Sequence, residues 1–150
     1  MQQTEQPSPD DIVVDLLVTA GRLTRLAGAL STDDLPRAVL RALAVLDEHG
    51  GMRVSEFARR DRCSQPAATA LLGRLVTDGF ATRAKDPEDS RAVLVELTPA
   101  GRTRLDTARR AFAAAAAPGL SDFPLERLIR LDTEMNDLLT TLRAVAGGPQ

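Results

Sequence analysis

Between Ser64 and Gly101 the hydrophobic pattern changes period twice, an order that few folds accept. Ser64 is a helix N-cap with Pro66 in the first turn; Ala68, Leu71, Leu72, Leu75 and Val76 recur at helical spacing, and Gly79 caps the C-terminus. Phe80 to Ala84 and Ala92 to Leu97, with Val93, Val95 and Leu97 alternating, read as paired strands around a polar, exposed loop from Lys85 to Arg91. Thr98 then caps, and Pro99 starts, a long helix carrying Leu105, Ala108 and Phe112. The segment therefore predicts helix, β-hairpin, helix.

The flanks are helical as well. Ile12, Val13, Leu16, Leu17, Ala20, Leu23, Ala27 and Leu30 predict a long amphipathic first helix. A second opens at Pro36, turns Val39, Leu40, Leu43 and Leu46 inward and stops at Gly50-Gly51, while Phe57 and Ala58 mark a short third. A last helix carries Leu125, Leu128, Ile129, Leu131, Met135, Leu138, Leu139 and Leu142. The fold class is mainly α with one small β-hairpin. With 150 residues and 43% hydrophobic content, one sizeable core is expected, so 1–150 form a single unit. Within it, 36–98 make a lobe, and 11–31 plus 99–146 make a helical region.

Composition removes several function classes. No apolar run approaches the roughly 18 to 20 residues of a membrane helix, so no membrane partner is expected. The lone Cys63 cannot pair within the chain, and a reducing, cytoplasmic setting is expected. Enzyme chemistry is not expected: His49 and Cys63 form no metal-binding or nucleophile motif, and Asp33-Asp34 and Asp10-Asp11 read as helix-start charges. No cofactor, metal site or catalytic residue is therefore predicted. The net charge is −2, yet Gly50 to Arg91 holds eight basic residues against six acidic ones, and Lys85 is the sole lysine.

A short helix, a turn containing Cys63, a capped second helix and a hairpin make a winged helix-turn-helix. With the apolar stripe inward, Gln65, Pro66, Thr69, Ala70 and Gly73 face out. Gln65 can pair bidentately with adenine, and Thr69 or Pro66 can touch a thymine methyl. Ser64, the helix N-terminus and Arg74 suit phosphate oxygens, and Arg83 and Lys85 add charge beside the wing loop. Two alternatives stay open: a winged helix that binds a protein partner, and a thiol switch at Cys63, where a turn before a helix tends to lower a thiol pKa. Cys63 also serves as the small apolar residue that closes such a turn.

The chain resembles the MarR (multiple antibiotic resistance regulator) family over almost its whole length. The matching stretches are 53–58, 63–75, Asp78-Gly79-Phe80 and, most specifically, Asp86-Pro87-Glu88-Asp89-Ser90-Arg91 followed by Leu97-Thr98-Pro99-Ala100-Gly101. The resemblance implies a DNA-binding regulator, more commonly a repressor, in which Asp89 orients Arg91 into the minor groove. Ala70 departs from the family, where that position is often basic or polar.

The leading and trailing helices carry broad apolar stripes that a wing on one subunit would leave uncovered, which predicts a homodimer on a palindromic double-stranded site. The resemblance further implies a small aromatic effector between dimer helices and lobe. Arg25, Arg41, His49, Phe57 and Phe112 are the candidate residues for it, although aromatic content is only 3%.

Overall fold

The computed structural model describes residues 7–146. Its elements are α1 (Pro9–Leu30), α2 (Arg37–His49), α3 (Val54–Asp61), α4 (Gln65–Thr77), β1 (Ala81–Lys85), β2 (Val93–Leu97), α5 (Pro99–Ala116), a single 3-10 turn (Ala117–Leu120) and α6 (Leu125–Ala146). They divide into two compact units at Ala115/Ala116.

In the first unit, local chemistry sets most boundaries. Ser8 and Asp11 form a capping box ahead of α1, which therefore begins at Pro9, slightly before the apolar periodicity. No α1 side chain is buried, and Ile12, Leu16, Leu17 and Leu23 stand exposed. α2 buries Val39, Ala42, Leu43 and Leu46. At the end of α4, Gly79 takes φ 77°. There its N–H reaches Val76 O at 3.1 Å and the Phe80 N–H reaches Leu75 O at 2.9 Å, a Schellman closure that the expected glycine permits.

β1 and β2 pair antiparallel, Ala81 opposite Leu97 and Lys85 opposite Val93. Lys85 is thus the last strand residue, not the first of the loop. Val95 and Leu97 are buried, but Val93, at the loop end of the ladder opposite Lys85, is 48% exposed. Asp86 departs from the expected exposed loop: it is buried, since the start of α3 covers it. Met52, between α2 and α3, exchanges two backbone hydrogen bonds with Val95 (3.1 and 2.9 Å), so the segment before α3 lines the wing like a third strand. The core joins Val39, Leu43, Leu46, Met52, Phe57, Leu72, Leu75, Val95, Leu97 and Leu105.

Asp33 proves to be more than a helix-start charge. Its carboxylate is almost fully buried and accepts two hydrogen bonds from Arg104 on α5, both at 2.7 Å. Arg104 holds the Asp33 carboxyl below the usual carboxylate range, against the opposing push of burial. Because the folded value lies below the unfolded one (about 3.9), the pair's contribution is present above that value and lost as pH falls through the folded one. Arg104→Ala is accordingly expected to lower stability by about 1–3 kcal/mol at neutral pH. In urea unfolding the gap from wild type should shrink as the pH is taken from neutral to acid values below the unfolded carboxyl's value of about 3.9. Equal gaps at both pH values would mean that the pair adds nothing.

In the second unit, α6 has no buried side chain from Leu125 to Val145. Leu125, Ile129, Met135 and Leu139 are among its exposed apolar residues, and the Arg127 guanidinium lies 4.7 Å over the Phe123 ring. Among the described residues, no helix is long and apolar enough to cross a membrane.

Candidate functional site

α4 owes its orientation to Ala68, Leu72 and Leu75, all buried, with Leu71 half-buried beside them. That leaves Gln65, Pro66, Thr69 and Ala70 exposed on the opposite face, as the periodicity predicts, while Gly73, expected with them, is half-buried. The Ser64 hydroxyl accepts the Ala67 N–H at 3.3 Å, which leaves its O–H free to donate. The Thr69 hydroxyl donates to Gln65 O at 2.9 Å, so its methyl is the group left for an apolar contact.

The cations around this helix fall into two sets. Arg53, Arg60 and Arg74 are tied to Asp86, Glu56 and Asp78 respectively. Arg74 meets Asp78 at only 3.5 Å on an exposed turn, a contact weak enough to exchange for a phosphate. Arg59, Arg62, Arg83, Lys85 and Arg91 are exposed, and among the described residues none has an ion-pair partner.

Arg62, in the sequence one of the eight basic residues of the middle segment, stands at a distinct place in the structure. It closes α3 in the left-handed conformation (φ 53°, ψ 41°), which costs a non-glycine residue about 1–2 kcal/mol. Its place immediately before Cys63 and the Ser64 cap was the available signal.

The wing loop is internally braced. Asp86 Oδ1 accepts the Glu88 N–H at 2.9 Å, and Asp86 Oδ2 accepts Nε and Nη2 of Arg53 at 2.9 and 2.6 Å. The Glu88 amide, then the Arg53 guanidinium, hold the Asp86 carboxyl below its ordinary range. Asp89 Oδ1 accepts the Arg91 backbone N–H at 3.1 Å, and its Oδ2 lies 3.5 Å from Arg53. Asp89 therefore holds Arg91 by its main chain, and no ion pair joins the two side chains. The Arg91 guanidinium is left exposed.

Of the residues expected at an effector site, Arg25, Arg41 and Phe112 line one largely apolar cleft of about 450 Å³ between α1, α2 and α5, together with Arg37 and Arg109. Phe57 is instead fully buried in the core, and His49 sits apart, with Nδ1 3.4 Å from Arg60. Arg41 also donates twice to Asp61, whose side chain is 1% exposed. Desolvation and then the Asp61 carboxylate push the Cys63 thiol above its ordinary value, the opposite of what a thiolate sensor needs.

Residues 35–93 match the MarR family. An uncharacterised HTH-type transcriptional regulator of Mycobacterium leprae is 32% identical over 100 residues, 67% of this chain and 64% of that protein, so the chain spans just under two thirds of the relative's length. The HTH-type transcriptional repressor IacR of Pseudomonas putida is 29% identical over 101 residues, 65% of this chain and 59% of that one. In fold, the chain is similar to a MarR family protein from Bacillus stearothermophilus, with a TM-score of 0.67 at 18% identity over 91% of this chain and 99% of that one.

Proposed function

The chain belongs, through residues 35–93, to the MarR family of transcriptional regulators, and from that premise we propose that it represses transcription in the cytoplasm by binding a palindromic double-stranded site as a homodimer. The observation that carries the reading is the outward face of α4, whose short and polar side chains are accompanied by exposed cations that have no ion-pair partner among the described residues. Gln65 reads adenine, and Thr69 and Pro66 contact a thymine methyl. Ser64, Arg62, Arg74, Arg83 and Lys85 hold phosphates, and Arg91 enters the flanking minor groove. Exposed apolar stripes on α1 and on α6 supply the surfaces that a second copy would cover, with 11–31 and 99–146 as the dimer-forming region. Repression follows the printed function of the Pseudomonas putida relative. A small aromatic effector would lie in the 450 Å³ cleft against Phe112, its polar end toward Arg25.

The test is a gel-shift titration and a footprint of the purified chain on duplex from upstream of its own gene, with light scattering in parallel. Two protected half-sites about 34 Å apart and a dimer at micromolar concentration are expected. Affinity should also fall as salt rises. Equal affinity for random duplex, or a monomer in solution, would overturn the reading.

A further inference from the structure

We propose that Arg53 is the positioning residue of the wing: from the start of α3 its guanidinium ties down the loop that carries Arg91, and so fixes where Arg91 meets DNA. The inference rests on the DNA-binding reading above. It concerns a residue that the sequence presents as a cation of the basic segment and as the first position of the matching stretch 53–58, with no role attached.

Three observations carry it. Arg53 is the N-cap residue of α3, and the adjacent Met52 is hydrogen-bonded to Val95 of β2, so the backbone that bears Arg53 is already fixed against the hairpin. Its side chain then spans 33 positions of sequence to place two donors on Asp86 Oδ2, with Asp89 within 3.5 Å and the Glu88 charge nearby. Each of the two aspartates spends its other oxygen on a loop amide: Asp86 on Glu88, Asp89 on Arg91. One guanidinium therefore closes a chain of contacts that ends at the main chain of Arg91, and the Asp89 carbonyl extends it to the Ala92 N–H at 2.9 Å.

A direct phosphate contact by Arg53 would have the opposite genetics. If Asp86 only shields Arg53 from DNA, neutralising Asp86 frees the cation and tightens binding. If Arg53 works through Asp86, neutralising either member loosens the loop, and the double variant does no further harm. Asp86→Asn is suited to the question because it keeps the Oδ1 acceptor for Glu88 while removing the charge. Arg53 is itself about half exposed, so Arg53→Met removes little packing.

The experiment reads amide exchange at Glu88, Arg91 and Ala92 in the free protein, and operator affinity, for wild type, Arg53→Met, Asp86→Asn, the double variant and Arg53→Lys. Faster exchange at Arg91 and Ala92 is expected in both single variants, with affinity weakened about two- to fivefold, less than one whole groove contact is worth. The double variant should match the singles, and Arg53→Lys, with its charge but no fork, should fall between. Tighter binding by Asp86→Asn, unchanged exchange in the single variants, or faster exchange with unaltered affinity would each overturn the proposal. A wild type that binds no operator fails the DNA-binding reading instead, and the exchange arm still decides whether Arg53 holds the loop.

Discussion

Gly101→Ala is expected to cost more than about 3 kcal/mol, a large share of the stability of a domain this size. A Cβ at Gly101 would lie 2.0 Å from the Phe80 carbonyl oxygen, 2.9 Å from its carbon and 3.1 Å from Leu97 Cδ2. The obstacle is backbone that cannot step aside: Phe80 O accepts the Thr98 N–H at 3.0 Å, and the Thr98 hydroxyl donates to Gly79 O at 2.7 Å while accepting the Gly101 N–H at 3.1 Å. Relief would require α5 to lift off the base of the hairpin, taking Leu105 out of the core. Gly73→Ala is the control. A Cβ there meets nothing within 4 Å, and a mid-helix glycine replaced by alanine should gain about 0.5–1 kcal/mol. Urea unfolding of both variants decides the matter, and a Gly101→Ala midpoint close to wild type would show that the approach of α5 to β1 is looser than described.

Arg91→Ala should lower operator affinity by about 1–3 kcal/mol while leaving the unfolding midpoint and the dimer unchanged. The guanidinium is exposed and pairs with no carboxylate among the described residues, so its removal takes nothing from the core and frees no buried charge. A narrow A/T-rich minor groove concentrates negative potential, so the loss should be larger on operators with A/T-rich flanks than on G·C-rich versions. Asp89→Ala should give a smaller loss of the same kind, because it releases the Arg91 amide and not the charge. Fluorescence anisotropy on the paired operators across a salt series is the measurement. Binding equal to wild type on both would mean that the wing stays outside the groove.

The local devices were legible in advance because each acts within a few residues. The Ser64 cap, the Gly79 closure and the Thr98-Pro99 helix start depend on backbone angles and on partners three to five positions away. The inward stripe of α4 depends only on helical period. The strand alternation was right at Val95 and Leu97, which are buried, and failed at Val93, which stays about half exposed at the loop end of β2. Period states which residues share a face and not whether a neighbour covers it.

Contacts that join distant parts of the chain were not legible. Asp33 and Arg104 lie 71 positions apart, Arg53 and Asp86 lie 33 apart, and Met52 meets Val95 across three intervening elements. A charged residue in a sequence has many candidate partners of opposite sign, and only the path of the chain chooses among them. The same holds for the effector candidates, where helical spacing could not separate Phe112, which lines the cleft, from Phe57, which fills the core. Sequence alone thus determined the order of elements, their caps and the outward face of α4, because those follow from backbone geometry and period. Tertiary packing decided which charges are buried and paired, and that no side chain fits at Gly101, because each of these depends on which remote surface the fold brings within about 3 Å.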